Sequence, residues 1–231
     1  MNIFKNASFI DLTQTVSSLS PNWGGQCGFQ HKVVTDYKDC SGETKFHTQS
    51  IEMFAGIGTH MDAPLHCFPG ANDIASIPLQ QLIVPCVVID VSSKADADYI
   101  VTSDDIQHFE KHYGKINQNS FIIIRTGWDK FWNNPEQYRN NLIFPTISAQ
   151  AVELLLERDL VGLGIDTLSP DNEANGFPVH RLVLGAGKYI IENIAHSHQV
   201  PPIGAYTLAL PMKIQDGTES PTRLIAMTLA E

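Results

Sequence analysis

The chain has few basic residues, and it has no long apolar run. Its 231 residues include 15 lysines and arginines against 25 acidic residues, which gives a formal net charge of −10. Because nucleic acids and anionic membranes bind proteins through a basic face, this balance argues against both kinds of partner. No stretch approaches the roughly 20 apolar residues that a membrane helix needs, and the first residues lack a charged-then-apolar signal pattern. A soluble protein that stays in the cytoplasm is therefore expected.

Cysteine is also scarce, and its spacing argues against a thiolate zinc knuckle. None of the four cysteines forms a C-x-x-C pair; they are Cys27, Cys40, Cys67 and Cys86. In a chain of this length they indicate reduced thiols and a cytosolic setting. For Cys67, which directly follows a histidine, we favour a small apolar filler over a residue that lines a site.

The polar side chains best suited to chemistry are concentrated in residues 58–66. His60 and Asp62 are two residues apart, so on an extended chain their side chains leave the same face. An imidazole and a carboxylate on one face suit a borderline divalent cation such as Zn²⁺ or Mn²⁺. Pro64 stiffens the chain after this pair, which gives His66 a defined position as a second ligand or a proton carrier. The alternative is structural, with His60 capping a loop and Asp62 holding a turn.

Hydrophobic patterning predicts alternating strands and helices. Nearly continuous apolar runs predict buried strands at residues 84–91, 121–126 and 161–166. Further strands are predicted at residues 9–13, 44–53, 188–194, 205–211 and 223–229. One helix is predicted from the N-cap Ser103 to the stop at Gly114, and a second from the N-cap Ser148. The order of elements favours a crossover unit in an α/β fold, with residues 1–231 as one domain.

Two acidic residues lie in or beside predicted strands. Glu192 falls in the middle of one, where a lone buried carboxylate costs several kcal/mol and a cation would remove the cost. A surface position for Glu192 is the alternative. Asp166 ends a strand, where it either orients a ligand or caps the structure. The polar residues 171–177 are predicted to form a surface loop.

Three residues are candidates for substrate contacts. Trp23 lies in a predicted loop, where its ring either packs into the core or contacts a ligand. Trp128 opens an aromatic cluster just past a strand end, where packing and a ligand pocket are equally compatible. Arg223 can clamp a carboxylate product through two hydrogen bonds, with a structural ion pair as the alternative.

Residues 58–66 resemble the signature H-x-G-T-H-x-D-x-P-x-H of the metal-dependent cyclase-like hydrolases, the family that includes kynurenine formamidase and isatin hydrolase. The matching residues are Gly58, Thr59, His60, Asp62, Pro64 and His66. Similar segments recur in the family's order at Asp11-Leu12-Thr13, Thr126-Gly127-Trp128, Gly164-Ile165-Asp166-Thr167, Pro178-Val179-His180, Ile191-Glu192-Asn193 and Ser220-Pro221-Thr222-Arg223. The chain departs at the family's leading metal-binding histidine, which is Gly56 here.

The resemblance implies a single-domain, swivelling β/β/α cyclase-like fold, with a central mixed β-sheet flanked by helices. It implies a divalent ion, Zn²⁺ or Mn²⁺, whose ligands are His60, Asp62, His180 and Glu192. It also implies that His66 carries the catalytic proton and that the protein is a homo-oligomer.

The expected metal site lacks one ligand of the family, because Gly56 stands where the family has its leading histidine. Gly56 leaves room for only one firmly held ion, or for a water or another side chain in the gap. His47, on a preceding predicted strand, is an alternative ligand, although a polar surface position is favoured for it.

The expected activity is that of a metal-dependent amidohydrolase in the EC 3.5 class, of the arylformamidase and cyclase type. It would cleave the C–N amide bond of a small formamide or cyclic amide by attack of water activated by the metal. The alternative is a non-catalytic member of the same fold that binds a metal or a ligand.

Overall fold

The computed structural model describes residues 6–229, which form a mixed β-sheet with helices packed against it. The strands are β1 (Ala7–Asp11), β2 (Phe29–Thr35), β3 (Thr48–Met53), β4 (His60–Asp62), β5 (Ile83–Asp90), β6 (Ile100–Val101), β7 (Phe121–Arg125), β8 (Thr146–Ile147), β9 (Gly162–Ile165), β10 (Tyr189–Glu192), β11 (Ala205–Pro211) and β12 (Glu219–Leu229). The α-helices are α1 (Leu79–Leu82), α2 (Ser103–Tyr113), α3 (Pro135–Arg139), α4 (Ala149–Glu157) and α5 (Pro178–Gly185).

One sheet of eight strands closes on itself. Its order is β1-β12-β11-β5-β7-β9-β10-β4, and β4 pairs back onto β12. Strands β5, β7, β9 and β10 run parallel, whereas the other neighbouring pairs are antiparallel. The expected α/β fold with a mixed sheet flanked by helices is confirmed.

The parallel strands are buried on both faces, as their apolar sequences predict. In β7, Ile122 and Ile124 belong to one core cluster, which also contains residues of α2 and α4. Phe121 and Ile123 belong to a second cluster on the opposite face of the sheet. Because successive side chains of a strand point to opposite faces, one short strand joins the two cores.

The closure of the sheet places acidic residues beside β4. In the pairing of β4 with β10, His60 lies opposite Glu192. In the pairing of β4 with β12, Asp62 lies opposite Glu219. Side chains of directly opposite residues share one face of a sheet, so this register brings two further carboxylates next to the His60–Asp62 pair.

Two smaller sheets and the helices complete the described chain. Strands β2 and β3 pair as a hairpin separate from the main sheet, and β6 pairs with β8. No helix within residues 6–229 combines the length and the apolar character that crossing a bilayer requires.

Helix α2 begins one residue earlier than predicted, because its N-cap is Thr102 and not Ser103. The Thr102 N–H donates to Asp105 Oδ2 at 2.8 Å, which gives the reciprocal contact of a capping box. Asp105 also accepts hydrogen bonds from Lys94 and from the Tyr99 hydroxyl, the latter at 3.0 Å. Burial opposes ionisation of Asp105, but the hydrogen bonds from Lys94 and Thr102 outweigh it and hold the pKa of this carboxyl below its usual range.

Replacing this cap should destabilise the protein in a pH-dependent way. We expect Asp105→Ala to lower the free energy of unfolding by about 1–2 kcal/mol near neutral pH, measured by urea denaturation. Because the folded-state pKa is lowered, the difference should be complete above the unfolded carboxyl pKa and vanish as pH falls through the folded value. The exposed Asp98→Ala is the control. A difference that does not change with pH would contradict an ionic role for Asp105.

Candidate metal centre

Strand β4 presents His60 and Asp62 to the same buried space, as their spacing predicts. His60 Nε2 lies 3.4 Å from Asp62 Oδ1, and the two side chains are almost fully buried. His60 Nδ1 donates to the carbonyl of Gly58 at 2.9 Å. Since a carbonyl only accepts, this bond fixes the tautomer and leaves Nε2 free to bind a cation.

Helix α5 and strand β10 add His180 and Glu192 to the same space. His180 lies in the first turn of α5, and its Nε2 is 3.5 Å from Glu192 Oε1 and 3.7 Å from Asp62 Oδ2. Glu192 Oε2 lies 3.4 Å from His60 Nε2. The structure therefore brings all four predicted ligands together, and Glu192 is buried, not on the surface.

A buried carboxylate that the sequence analysis missed holds His180 in place. Asp171 Oδ2 accepts hydrogen bonds from both Nδ1 and the backbone N–H of His180, each at 2.9 Å. Its other oxygen accepts from the Val179 N–H at 3.1 Å. Asp171 has no exposed surface, so the prediction of a surface loop from this residue onward is wrong at its first position. No local pattern signals the contact, because nine residues separate Asp171 from His180.

Charge in the cluster favours a cation. Burial opposes the charged imidazole of His60, but Asp62 and Glu192 outweigh it and raise the pKa of His60 to about 10. The same carboxylates and Asp171 likewise outweigh burial and raise the pKa of His180 to about 11. Burial and the negative charge of Asp62 raise the pKa of Glu192. Nearby positive charge therefore stabilises the buried carboxylates, and either protons on the imidazoles or a divalent cation can provide that charge.

The donor set fits a metal ion. Oδ1 of Asp62 and Oε1 of Glu192 are buried, and they accept no hydrogen bond from any residue within 6–229. Buried carboxylate oxygens without partners are costly, and a cation removes that cost. Ligand atoms of Asp62, His180 and Glu192 all lie within 4.8 Å of one another. Imidazole and carboxylate together suit ions such as Zn²⁺ or Mn²⁺.

These groups lie in a cavity of about 460 Å³. Trp23 and Phe177 line it, with their ring centroids 5.8 Å apart. His66 also lines the cavity, and its side chain is 33% exposed. The neighbouring Glu219 carboxylate, with Oε2 3.5 Å from Nδ1, raises the pKa of His66 although burial opposes this. Cys67 lines the same cavity and is exposed, so the interpretation of an apolar filler is wrong.

The other aromatic candidate lies outside the lining of this cavity. Trp128 is buried in a cluster with Trp132 and Tyr138, and its indole N–H donates to the Tyr138 carbonyl at 2.8 Å. The predicted aromatic cluster is present, but Trp128 packs and bonds within the protein. Asp166 accepts hydrogen bonds from the N–H groups of Thr126 and Gly127, so it holds the turn that leads to Trp128.

Two other charged candidates have partners elsewhere. Arg223 binds Asp11 through two hydrogen bonds of 2.7 and 3.0 Å on an exposed part of the sheet, as the structural alternative predicts. His47 lies 3.8 Å from Asp36 and stacks on Tyr37. His47 is therefore not the substitute for a ligand at position 56.

A family model decides the relationship of the chain to known proteins. The Cyclase model matches residues 10–172. The chain belongs to the Cyclase family. An isatin hydrolase of Roseibium aggregatum is 34% identical over 188 residues, which cover 74% of this chain and 70% of that protein. A kynurenine formamidase of Erythrobacter litoralis is 28% identical over 226 residues, covering 96% and 94%.

Solved structures of other Cyclase-like proteins share the fold. Isatin hydrolase A from Ralstonia solanacearum superposes with a TM-score of 0.87 at 30% identity, covering 96% of this chain and 92% of that one. An isatin hydrolase bound to the product analogue thioisatinate gives a TM-score of 0.88 at 27% identity, covering 97% and 94%.

Removing the charge behind His180 should weaken metal binding. We expect Asp171→Asn to lower the affinity for Mn²⁺ or Zn²⁺ about 10–100-fold, because the imidazole loses the acceptor that orients it. Isothermal titration of the metal-free protein measures this affinity, and the exposed Asp98→Asn is the matched control. Equal affinities for wild type and Asp171→Asn would show that His180 needs no such support.

Proposed function

We propose that this Cyclase-family protein hydrolyses the C–N amide bond of a small formamide or cyclic amide, with a divalent ion held by His60, Asp62, His180 and Glu192. The observation that supports this most strongly is the pair of buried, unpartnered carboxylate oxygens on Asp62 and Glu192, faced by two imidazoles. Such an ion lowers the pKa of a bound water and polarises a carbonyl. The similarity to isatin hydrolases and kynurenine formamidases supports the choice of an amide substrate.

His66 is the residue we assign to proton transfer. It lies in the cavity beside the four proposed ligands, with its ring centroid 6.0 Å from that of His180. Because its Nδ1 faces Glu219, its Nε2 remains available to a substrate. The amide nitrogen must gain a proton as the C–N bond breaks, and an imidazole within the cavity can donate it.

The aromatic wall formed by Trp23 and Phe177 suits a flat substrate. Both rings line the cavity together with Leu168, and the charged side chains of the proposed ligands line the same cavity. A planar aryl group can stack on such rings while its amide points toward the carboxylates. This arrangement supports an aryl formamide or a fused cyclic amide, which agrees with the substrate in the name isatin hydrolase.

Location, assembly and domain organisation are proposed on separate grounds. The four cysteines are free thiols, which supports the cytoplasm. The β2–β3 hairpin exposes Val34, Phe46 and Ile51, and isolated hairpins are marginally stable, so a homo-oligomer that covers it is proposed. Since β1 pairs with β12 near the other end of the chain, residues 1–231 are proposed to act as one domain.

Metal-dependent turnover is the test of the proposed function. Metal-free protein should hydrolyse neither isatin nor N-formylkynurenine, and adding Mn²⁺ or Zn²⁺ should restore hydrolysis of at least one of them. Stoichiometric ion binding without turnover on either compound class would favour the non-catalytic alternative. Absence of ion binding would exclude the proposal.

Loss of the His66 imidazole should impair the chemical step but not ion binding. We expect His66→Ala to lower kcat about 10²–10⁴-fold, the usual contribution of a general acid or base. The bound-metal content, measured by mass spectrometry, should equal that of wild type. His112→Ala, which changes an exposed histidine on α2, is the control. A His66→Ala variant with normal kcat would remove this residue from the mechanism.

The two candidate tryptophans should behave differently. Trp23→Ala should raise KM for an aryl substrate several-fold because it removes part of the cavity wall. Trp128→Phe should leave KM unchanged but lower the free energy of unfolding by about 1–2 kcal/mol, since the Tyr138 carbonyl loses its donor. Steady-state kinetics and urea denaturation of both variants measure these effects, and an unchanged KM for Trp23→Ala would contradict its assignment.

A further inference from the structure

Gly56, the one departure from the family signature, lies beside a carboxylate from a distant part of the chain. A Cβ at position 56 would overlap Oε1 of Glu219, and it would lie 3.3 Å from Nε2 of His60. The space that a side chain at position 56 would enter is therefore taken by Glu219. Glu219 enters this space from β12, which pairs with β4 where the sheet closes.

Glu219 is positioned as a ligand to the same cluster. Ligand atoms of His60, Asp62 and Glu219 lie within 4.8 Å of one another, as do those of Asp62, His180 and Glu192. The two groups share Asp62, whose Oδ1 lies nearer His60 and whose Oδ2 lies nearer His180. Oδ1 is the oxygen that is buried without a hydrogen bond, so an unsatisfied acceptor faces the first group.

We propose that Glu219 supplies the ligand that position 56 no longer carries, so that the chain holds a second divalent cation on His60, Asp62 and Glu219. The proposal rests on the proposed function, but it divides the ligands: the first cation would keep Asp62, His180 and Glu192, and His60 would belong to the second. Asp62 would then be a ligand in both sites. The sequence alone suggested that Gly56 leaves room for only one firmly held ion. The proposal expects two ions, because Glu219 lies beside position 56 and takes over its role as a ligand.

The exchange also changes the chemistry of the ligand. A carboxylate replaces an imidazole, which adds a negative charge and a hard oxygen donor to the cluster. The ligand set then contains three carboxylates and two imidazoles, a composition that favours Mn²⁺ relative to a site with a third imidazole. The second carboxylate oxygen of Glu219 faces His66 at 3.5 Å, so one side chain contacts both the proposed cation and the proposed proton carrier.

The stoichiometry of ion binding tests the proposal without measuring activity. Metal-free wild type titrated with MnCl₂ should bind two ions per chain, counted by native mass spectrometry and by calorimetry. An exchange-coupled Mn²⁺ pair should appear in the electron paramagnetic resonance spectrum. Glu219→Ala should bind one ion and lose the coupled signal. If Glu219→Ala is poorly folded by circular dichroism, Glu219→Gln should keep the fold and bind the second ion at least about tenfold more weakly.

A reciprocal variant makes the test specific to position 56. Gly56→His combined with Glu219→Ala should recover the second ion, since the imidazole enters the space that the carboxylate leaves. The ratio of Mn²⁺ to Zn²⁺ affinity should fall in this variant relative to wild type. The matched control is Gly56→His alone. Its Cβ would overlap the Glu219 carboxylate, so one of the two side chains must move away and the count should stay at two ions per chain.

The outcomes separate this proposal from the proposed function. Binding of one ion by wild type, with normal turnover, would overturn the second site and leave the amide hydrolase intact. Two ions in Glu219→Ala would show that Glu219 serves only to orient His66, which also overturns the proposal. No ion and no turnover in wild type would remove the proposed function and this inference together.

Discussion

The burial of several carboxylates at one closure of the sheet is the constraint on which the rest of the molecule depends. Strand β4 is only three residues long, yet it pairs with β10 on one side and β12 on the other. Its His60 and Asp62 meet Glu192 there with almost no exposed surface. Leaving one buried charge unpaired costs about 3–5 kcal/mol, so positive charge shared among the carboxylates stabilises the closure. Protonated imidazoles supply part of it, and a divalent cation held by the same side chains would supply more.

The two cores explain how so short a strand is held in position. The parallel strands β5, β7, β9 and β10 join a core that includes residues of α2 and α4 to a second core on the opposite face. Met61, between the two polar residues of β4, has no exposed surface and packs in the second core. Apolar packing therefore fixes the backbone of β4, and the polar side chains are aimed by alternation along the strand. The cluster is positioned by groups that take no part in its chemistry.

Sequence could predict what depends on local spacing, and it failed where distant segments meet. The apolar runs predicted β5, β7 and β9, and the two-residue spacing predicted the shared face of His60 and Asp62. Asp171 and Glu219 were missed because neither lies in a periodic pattern with the residue it contacts. Their positions depend on the closure of the sheet and on the loop before α5. Trp23 and Trp128 looked alike in sequence, because the difference between lining a cavity and packing in a cluster is set by tertiary contacts that residue type does not encode.

A ligand site in a metal centre is defined by its position in three dimensions, so a residue from a distant segment can occupy it as well as a residue of the sequence motif. The signature of the family assigns that place to a residue six positions before Asp62, whereas in this chain a strand more than a hundred residues later reaches it. A glycine there is usually interpreted as the loss of a ligand, and hence of the ion. That interpretation is incomplete where a sheet closes. Strand β4 has a neighbour on each side, and a side chain from either neighbouring strand can fill the space that the missing histidine would occupy. In this structure the Glu219 carboxylate fills the space that a Cβ at position 56 would need, so a larger residue there would require the flexible end of Glu219 to move.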